Sequence, residues 1–299
     1  MKRLMIFAGL LLALALPMAA SAKCSLPRGW RAVGADRARI VILGEVHGSA
    51  QSPAFFGRTA CALSRNGDRL LVALELSDND GLQRAWALPH AAFVRDLSSL
   101  MPEWTSRNDG VTSQAMFAML ADLHLLKVSG FNIDVVAFNG APDASQQQRF
   151  ADLRNPALHE AIQADNISRA VDRARYRHVL VLAGNAHARR HTINVRGVSY
   201  DPMAMRLAQR YPVASLNMAY LAGTVWTCQL SGPVKPGEPI RSDQIECASH
   251  PVSGNVAWKA AARFAKPNTK DRTIDPDGAY DAAYFLGSVS ASPPQGSKS

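Results

Sequence analysis

Two segments whose histidines lie 140 positions apart share one design: Gly44-Glu45-Val46-His47 and Gly184-Asn185-Ala186-His187. Each follows a run that reads as a buried strand, Arg39 to Leu43 and Val179 to Ala183. Apolar, β-branched runs of this length, stopped by glycine, suit strands covered on both faces, and such strands belong to parallel sheets flanked by helices. Open α/β sheets place ligand sites just beyond the carboxyl ends of their strands, which is where both histidines fall. Glycine ahead of each histidine permits a positive φ or a close backbone approach.

Two further runs end in the same manner. Leu70 to Leu74 stops at Glu75, and Ile133 to Phe138 stops at Asn139-Gly140. A lone histidine after a strand is most simply a structural residue, and a lone Glu there a partner for a helix dipole. Four strand ends carrying Glu45 and His47, Glu75, Asn139, and Asn185 and His187 predict a site. His47, Glu75, His187 and Glu45 are the candidate catalytic residues, with Asn139, Asn185, Arg189 and Arg190 as candidate ligand contacts. Arg189 and Arg190 directly follow the second motif, where a guanidinium could hold a carboxylate or phosphate. His47, Glu75 and His187 also match the ligand types of a divalent metal site with an open position for water. His124, in a helical pattern, reads as packing.

The paired Gly-x-x-His motifs with an intervening Glu at a strand end resemble the superfamily of erythromycin-esterase-like, ChaN-like haem-binding and TIKI/TraB-type proteins. Leu43-Gly44-Glu45-Val46-His47-Gly48 and Ala183-Gly184-Asn185-Ala186-His187-Ala188 carry the likeness, which is nearest to the ChaN-like bacterial members and spans about Arg39 to Ala188. A weaker echo lies at Tyr280 to Gly287. The resemblance implies either hydrolysis of esters or peptides, with or without a metal, or haem binding. No Gly-x-Ser-x-Gly motif is present, so a serine hydrolase is disfavoured. The expectation is an exported hydrolase acting on an ester or amide through a His/Glu site, with or without a divalent metal. The alternative is a haem-binding protein of iron uptake, which needs an imidazole or phenolate beside a flat apolar surface.

Export is read from residues 1–22. Lys2 and Arg3 precede an apolar stretch from Leu4 to Leu16, Pro17 breaks it, and Ala20-Ser21-Ala22 forms a small-x-small cleavage site before Lys23. The stretch is shorter than the roughly 20 residues of a membrane anchor. Lys23 ahead of Cys24 argues against lipidation. A periplasmic or secreted location is expected, and an oxidising compartment makes the four cysteines a disulfide framework. The shortest loops pair Cys24 with Cys61 and Cys228 with Cys247. Removing Lys2 and Arg3 from the formal charge of +9 leaves +7, scattered along the chain. With no phosphate-binding loop, zinc-finger spacing or aromatic-interleaved basic run, the expected partner is a small molecule rather than nucleic acid.

Residues 23–288 are expected to form one α/β domain with a mostly parallel sheet and a β-rich C-terminal segment, and 289–299 a disordered tail. Ser52 to Leu63 reads as a crossover helix, Thr112 caps a second ending at Gly130, and a third carries Leu158, Ile162 and Val171. Residues 141–157 read as a loop over the rim. Val213 to Tyr220 and Thr224 to Leu230 read as a hairpin, residues 231–278 as long loops, Asp275 to Gly278 as a turn, and Tyr280 to Gly287 as a last strand.

Overall fold

A computed structural model of the protein describes residues 24–195, 197–233, 240–254, 264–265 and 278–296. The proposed signal peptide and the Asp275-Pro276-Asp277 stretch lie outside them. In chain order the elements are β1 (Ile40–Glu45), α1 (Gln51–Ser64), β2 (Leu70–Leu74), α2 (Asn79–Trp86), α3 (His90–Leu100), α4 (Glu103–Ser106), α5 (Gln114–Val128) and β3 (Ile133–Ala137). They continue with α6 (Ala144–Arg149), α7 (Ala157–Asp172), β4 (His178–Gly184), β5 (Ile193–Val195), β6 (Val198–Tyr200), α8 (Met203–Ala208), β7 (Val213–Ala219), β8 (Ala222–Leu230), β9 (Ile245–Ser253), β10 (Phe264–Ala265) and β11 (Ala282–Phe285).

The main sheet has the strand order β10-β11-β7-β1-β4-β2-β3 and is parallel throughout except for β10. Strand alternation sends successive side chains to opposite faces. Val41 and Leu43 pack with Phe55 and Phe56 of α1 and Leu120 of α5, whereas Ile40 and Ile42 pack with Ile167 of α7 and Leu207 of α8. Both faces are therefore covered, as the continuous apolar strands require. Full burial of each such side chain contributes about 1.5–3 kcal/mol relative to exposure. The chain runs from β1 to β2, adds β3, then returns to lay β4 between β1 and β2. That return opens a crevice at the carboxyl ends of β1, β4 and β2.

Several local expectations change. Ser113, not Thr112, caps α5 by accepting from the Met116 N–H, because Thr112 lies in a preceding 3₁₀ turn. The stretch 141–157 is not all loop: it contains α6, closed at its start by a capping box between Asp143 and Gln146. β7 and β8 do not form a hairpin. β7 enters the main sheet beside β1, and β8 pairs with β9 in a separate antiparallel ribbon, so 231–278 is not purely loop. Both expected disulfides form, Cys24–Cys61 and, directly across the ribbon, Cys228–Cys247. The described part of the expected tail, 289–296, is packed: Val289 and Ser292 are buried, and their neighbours bond to the backbone around Gly48 and Thr112. No described helix is long and apolar enough to cross a membrane.

Candidate active site

β1, β4 and β2 lie side by side and deliver His47, His187 and Glu75 to one cavity of about 470 Å³. Glu75 stands between the two rings. His47 Nε2 lies 3.5 Å from Glu75 Oε2, and His187 Nε2 lies 3.3 Å from Glu75 Oε1. The Gly184 N–H donates to Glu75 Oε2 at 2.7 Å, which fixes the carboxylate to the β4 backbone. Each ring also meets a carboxylate through Nδ1: Glu45 Oε1 at 3.0 Å for His47, and Glu160 Oε1 at 2.7 Å for His187. The result is one chain of alternating groups, Glu45, His47, Glu75, His187 and Glu160.

The glycines before the histidines serve close approach rather than positive φ. A Cβ on Gly184 would sit 2.9 Å from His47 Nε2 and 3.6 Å from Glu75 Oε2, so any side chain there displaces the relay. The positive φ falls instead at Gly48, just after His47, where a Cβ would lie 2.0 Å from the carbonyl oxygen of Trp226. There the β8–β9 ribbon presses onto the site, and Trp226, Thr227 and Cys228 form one wall of the cavity.

Charge in the relay follows from this geometry. Burial alone lowers the basicity of His47, but hydrogen bonds to Glu45 and Glu75, and their charges, outweigh it and push the pKa up to about 10. His187 follows the same balance: burial opposes, Glu160 and Glu75 prevail, and the pKa reaches about 10. Burial also resists the charge on Glu75, yet the two histidines hold it well below the usual carboxylate range. At Glu45 burial dominates and raises the carboxyl. A ring with an acceptor at each nitrogen donates to both only when doubly protonated. The arrangement therefore favours the charged form of both rings around the Glu75 carboxylate. Both rings stay reachable, at 26% and 18% side-chain exposure.

Among the described residues, no group of three or more His, Cys, Asp or Glu side chains is disposed to hold a metal ion. His47, Glu75 and His187, the expected metal set, do come together, with each ring's Nε2 turned to the Glu75 carboxylate.

The remaining candidates separate. Asn185 lines the cavity and ties β4 to β1 through its N–H to the Glu45 carbonyl. Asn139 stands apart: its side chain accepts from Gln163, which in turn contacts His159 behind His187. Arg190 turns away to Asp281 and the Val213 carbonyl. Arg189 lines a neighbouring hollow with His191, Tyr200 and Tyr280. His124 is fully buried and stacks on Phe93, as a packing residue does. Three site residues escape the sequence reading: Glu160 on α7, and Arg107 with Asp109 on the loop after α4. Glu160 carries a signal, since with Ala164, Ile167 and Val171 it follows the spacing of a buried helical face. A carboxylate at such a position needs a partner. Arg107 and Asp109 carry no such signal.

The solved structure of an erythromycin esterase, a mutant of EreC in its open conformation, matches at a TM-score of 0.61 with 12% identity, over 91% of this chain and 98% of that one. The fold is that of erythromycin esterase. A succinoglycan biosynthesis protein matches at 0.57 with 13% identity, over 88% of this chain and 91% of that one. A Bacillus cereus protein matches at 0.56 with 14% identity, over 87% of this chain and 90% of that one. No family model matches the chain, and no curated protein matches it significantly in sequence. At these identities the erythromycin esterase likeness concerns the fold, and the chemistry rests on the relay.

Proposed function

We propose that the protein is an exported hydrolase that cleaves an ester with water activated by the His47–Glu75–His187 relay. The observation that carries this reading is the unbroken chain from Glu45 to Glu160, opening on a cavity of small-molecule size. Two imidazoles joined by one carboxylate are suited to paired acid and base work.

The working form has one proton fewer than the resting form. Neutral His47 takes a proton from water, and the hydroxide attacks the ester carbonyl. As the tetrahedral intermediate collapses, the carbon–oxygen bond to the alcohol breaks, and the His187 imidazolium gives its Nε2 proton to the departing oxygen. Acid and alcohol leave, and the proton that His47 took from water crosses to the now neutral His187 by way of the Glu75 carboxylate between them. Glu45 and Glu160 hold the rings in register by accepting from Nδ1, as the carboxylate of a catalytic triad does.

The haem alternative asks for an imidazole or phenolate ready to ligate iron. Both rings here face a carboxylate oxygen at each nitrogen, so ligation through Nε2 displaces the ring from Glu75. The deciding experiment incubates purified protein with a panel of esters, from 4-nitrophenyl acyl esters to macrolactones, beside the His47→Ala variant. Turnover lost in the variant supports the hydrolase. A hemin titration that saturates at fixed stoichiometry, with no ester cleaved, replaces it with the carrier.

A further inference from the structure

The proposed hydrolysis creates an electrostatic demand that the relay cannot meet. When the tetrahedral oxyanion forms, both rings are charged, but their N–H groups are directed at Glu45, Glu75 and Glu160, and the His187 Nε2 proton is committed to the departing alcohol. A hydrolase needs a donor or cation aimed at that oxygen. Of the described residues lining the cavity, Arg107 is the one Lys or Arg.

Resting on the hydrolase reading, we propose that Arg107 is a further catalytic residue, whose guanidinium stabilises the oxyanion formed at the ester carbonyl. Its position is built by its own loop and by three other pieces of chain. Asp109 holds Nε at 3.1 Å and Nη2 at 2.6 Å, and also accepts the Val111 N–H. The indole N–H of Trp226 donates to the Asn108 carbonyl at 2.8 Å. Gly110 packs so closely on Gly48 that a Cβ would lie 2.3 Å from the Gly48 nitrogen. The Gln295 N–H donates to the Thr112 carbonyl. The loop is thus clamped by the ribbon, the His47 turn and the C-terminal segment. Asp109 engages one edge of the guanidinium, and no hydrogen bond among the described residues engages Nη1. The side chain is 28% exposed, on the cavity wall. A loop clip alone gives no reason to set a guanidinium in the cavity that holds Glu75.

The test measures hydrolysis of 4-nitrophenyl butyrate, and calorimetric binding of a butylphosphonate monoester as a mimic of the tetrahedral anion. Arg107→Ala is expected to lower kcat by about 10²–10³-fold, the cost of losing one oxyanion donor, with little change in KM. Phosphonate affinity falls with kcat, and guanidinium added to the buffer restores part of the rate. A raised KM with unchanged kcat makes Arg107 a substrate anchor and overturns the proposal. So does a folded variant with full activity, or one that guanidinium does not rescue. If Arg107→Ala fails to fold, Arg107→Lys keeps a cation on the loop. A kcat loss without a KM change in that variant then supports the proposal, and a KM change alone overturns it. A wild-type protein that cleaves no ester removes the hydrolase reading itself, and is told apart by the absence of any turnover to modulate.

Discussion

The two histidine turns begin from the same motif and are finished in different ways. His47 takes its orienting carboxylate from Glu45, two residues earlier on its own strand. His187 takes Glu160 from α7, an element on the sheet's second face, and Glu160 holds the Met203 N–H at the start of α8 with its other oxygen. One ring is oriented by local sequence and the other by tertiary packing. Equivalent chemistry at two strand ends therefore rests on unequal support, and only the second ties the site to the hydrophobic layer beneath it.

Glu75 belongs to both turns, so its loss reaches furthest. Glu75→Gln is expected to lower kcat by about 10²–10⁴-fold, the usual worth of a positioned acid or base group, with an unchanged circular dichroism spectrum. A variant retaining most of its rate breaks the view that the turns work as a pair. The next contrast lies between the orienting groups. Glu160→Ala strips a partner from His187 and from the Met203 N–H, and should lower unfolding stability by about 1–3 kcal/mol, measured by urea titration. Glu45→Ala leaves only His47 without its acceptor, so its loss should be smaller. Equal losses would mean that Glu160 does no more structurally than Glu45.

Both turns share a pH dependence whose sign follows from linkage. The folded pKa values of about 10 for His47 and His187 lie above the ordinary value of 6.5. Stability from the charged rings is complete below pH 6.5 and drains away as pH rises through the folded values. The melting temperature is expected to fall between pH 6.5 and 10, and to fall less in a His47→Ala/His187→Ala variant. Equal slopes in the two proteins would contradict the imidazolium pair. The rate of ester cleavage should climb over the same range, because the working form has lost a proton. The smallest effect is expected at Arg190→Gln, whose ion pair with half-exposed Asp281 is worth about 0–1 kcal/mol and whose side chain leaves kcat unchanged.

The parallel sheet is legible because its strands advertise burial: Ile40 to Leu43 and Val179 to Ala183 could be satisfied only between two covered faces. The rim was legible because polar residues recur at the same end of successive strands whose interiors are apolar. Pairing between distant segments was not legible. Val213 to Ala219 alternates like a hairpin strand, but which neighbour it takes depends on β1 presenting an open edge far away in sequence. Arg107 stayed hidden for a related reason, since a loop enters the site through clamps contributed by Gly48, Trp226 and Gln295. Glu160 lay within reach of a stricter reading, because a carboxylate on the apolar stripe of α7 is a question that only a buried partner answers.

The last described residues close over the first turn, with the Ser292 N–H on the Gly48 carbonyl and the Ser290 carbonyl receiving the Ala50 N–H. Almost the whole chain separates these partners, so they are among the slowest contacts to form. Synthesis proceeds from the amino end, and so the His47 turn lacks this part of its wall until Ser292 has emerged. Closure of this wall is thus a late event of folding, while the strand core matures earlier.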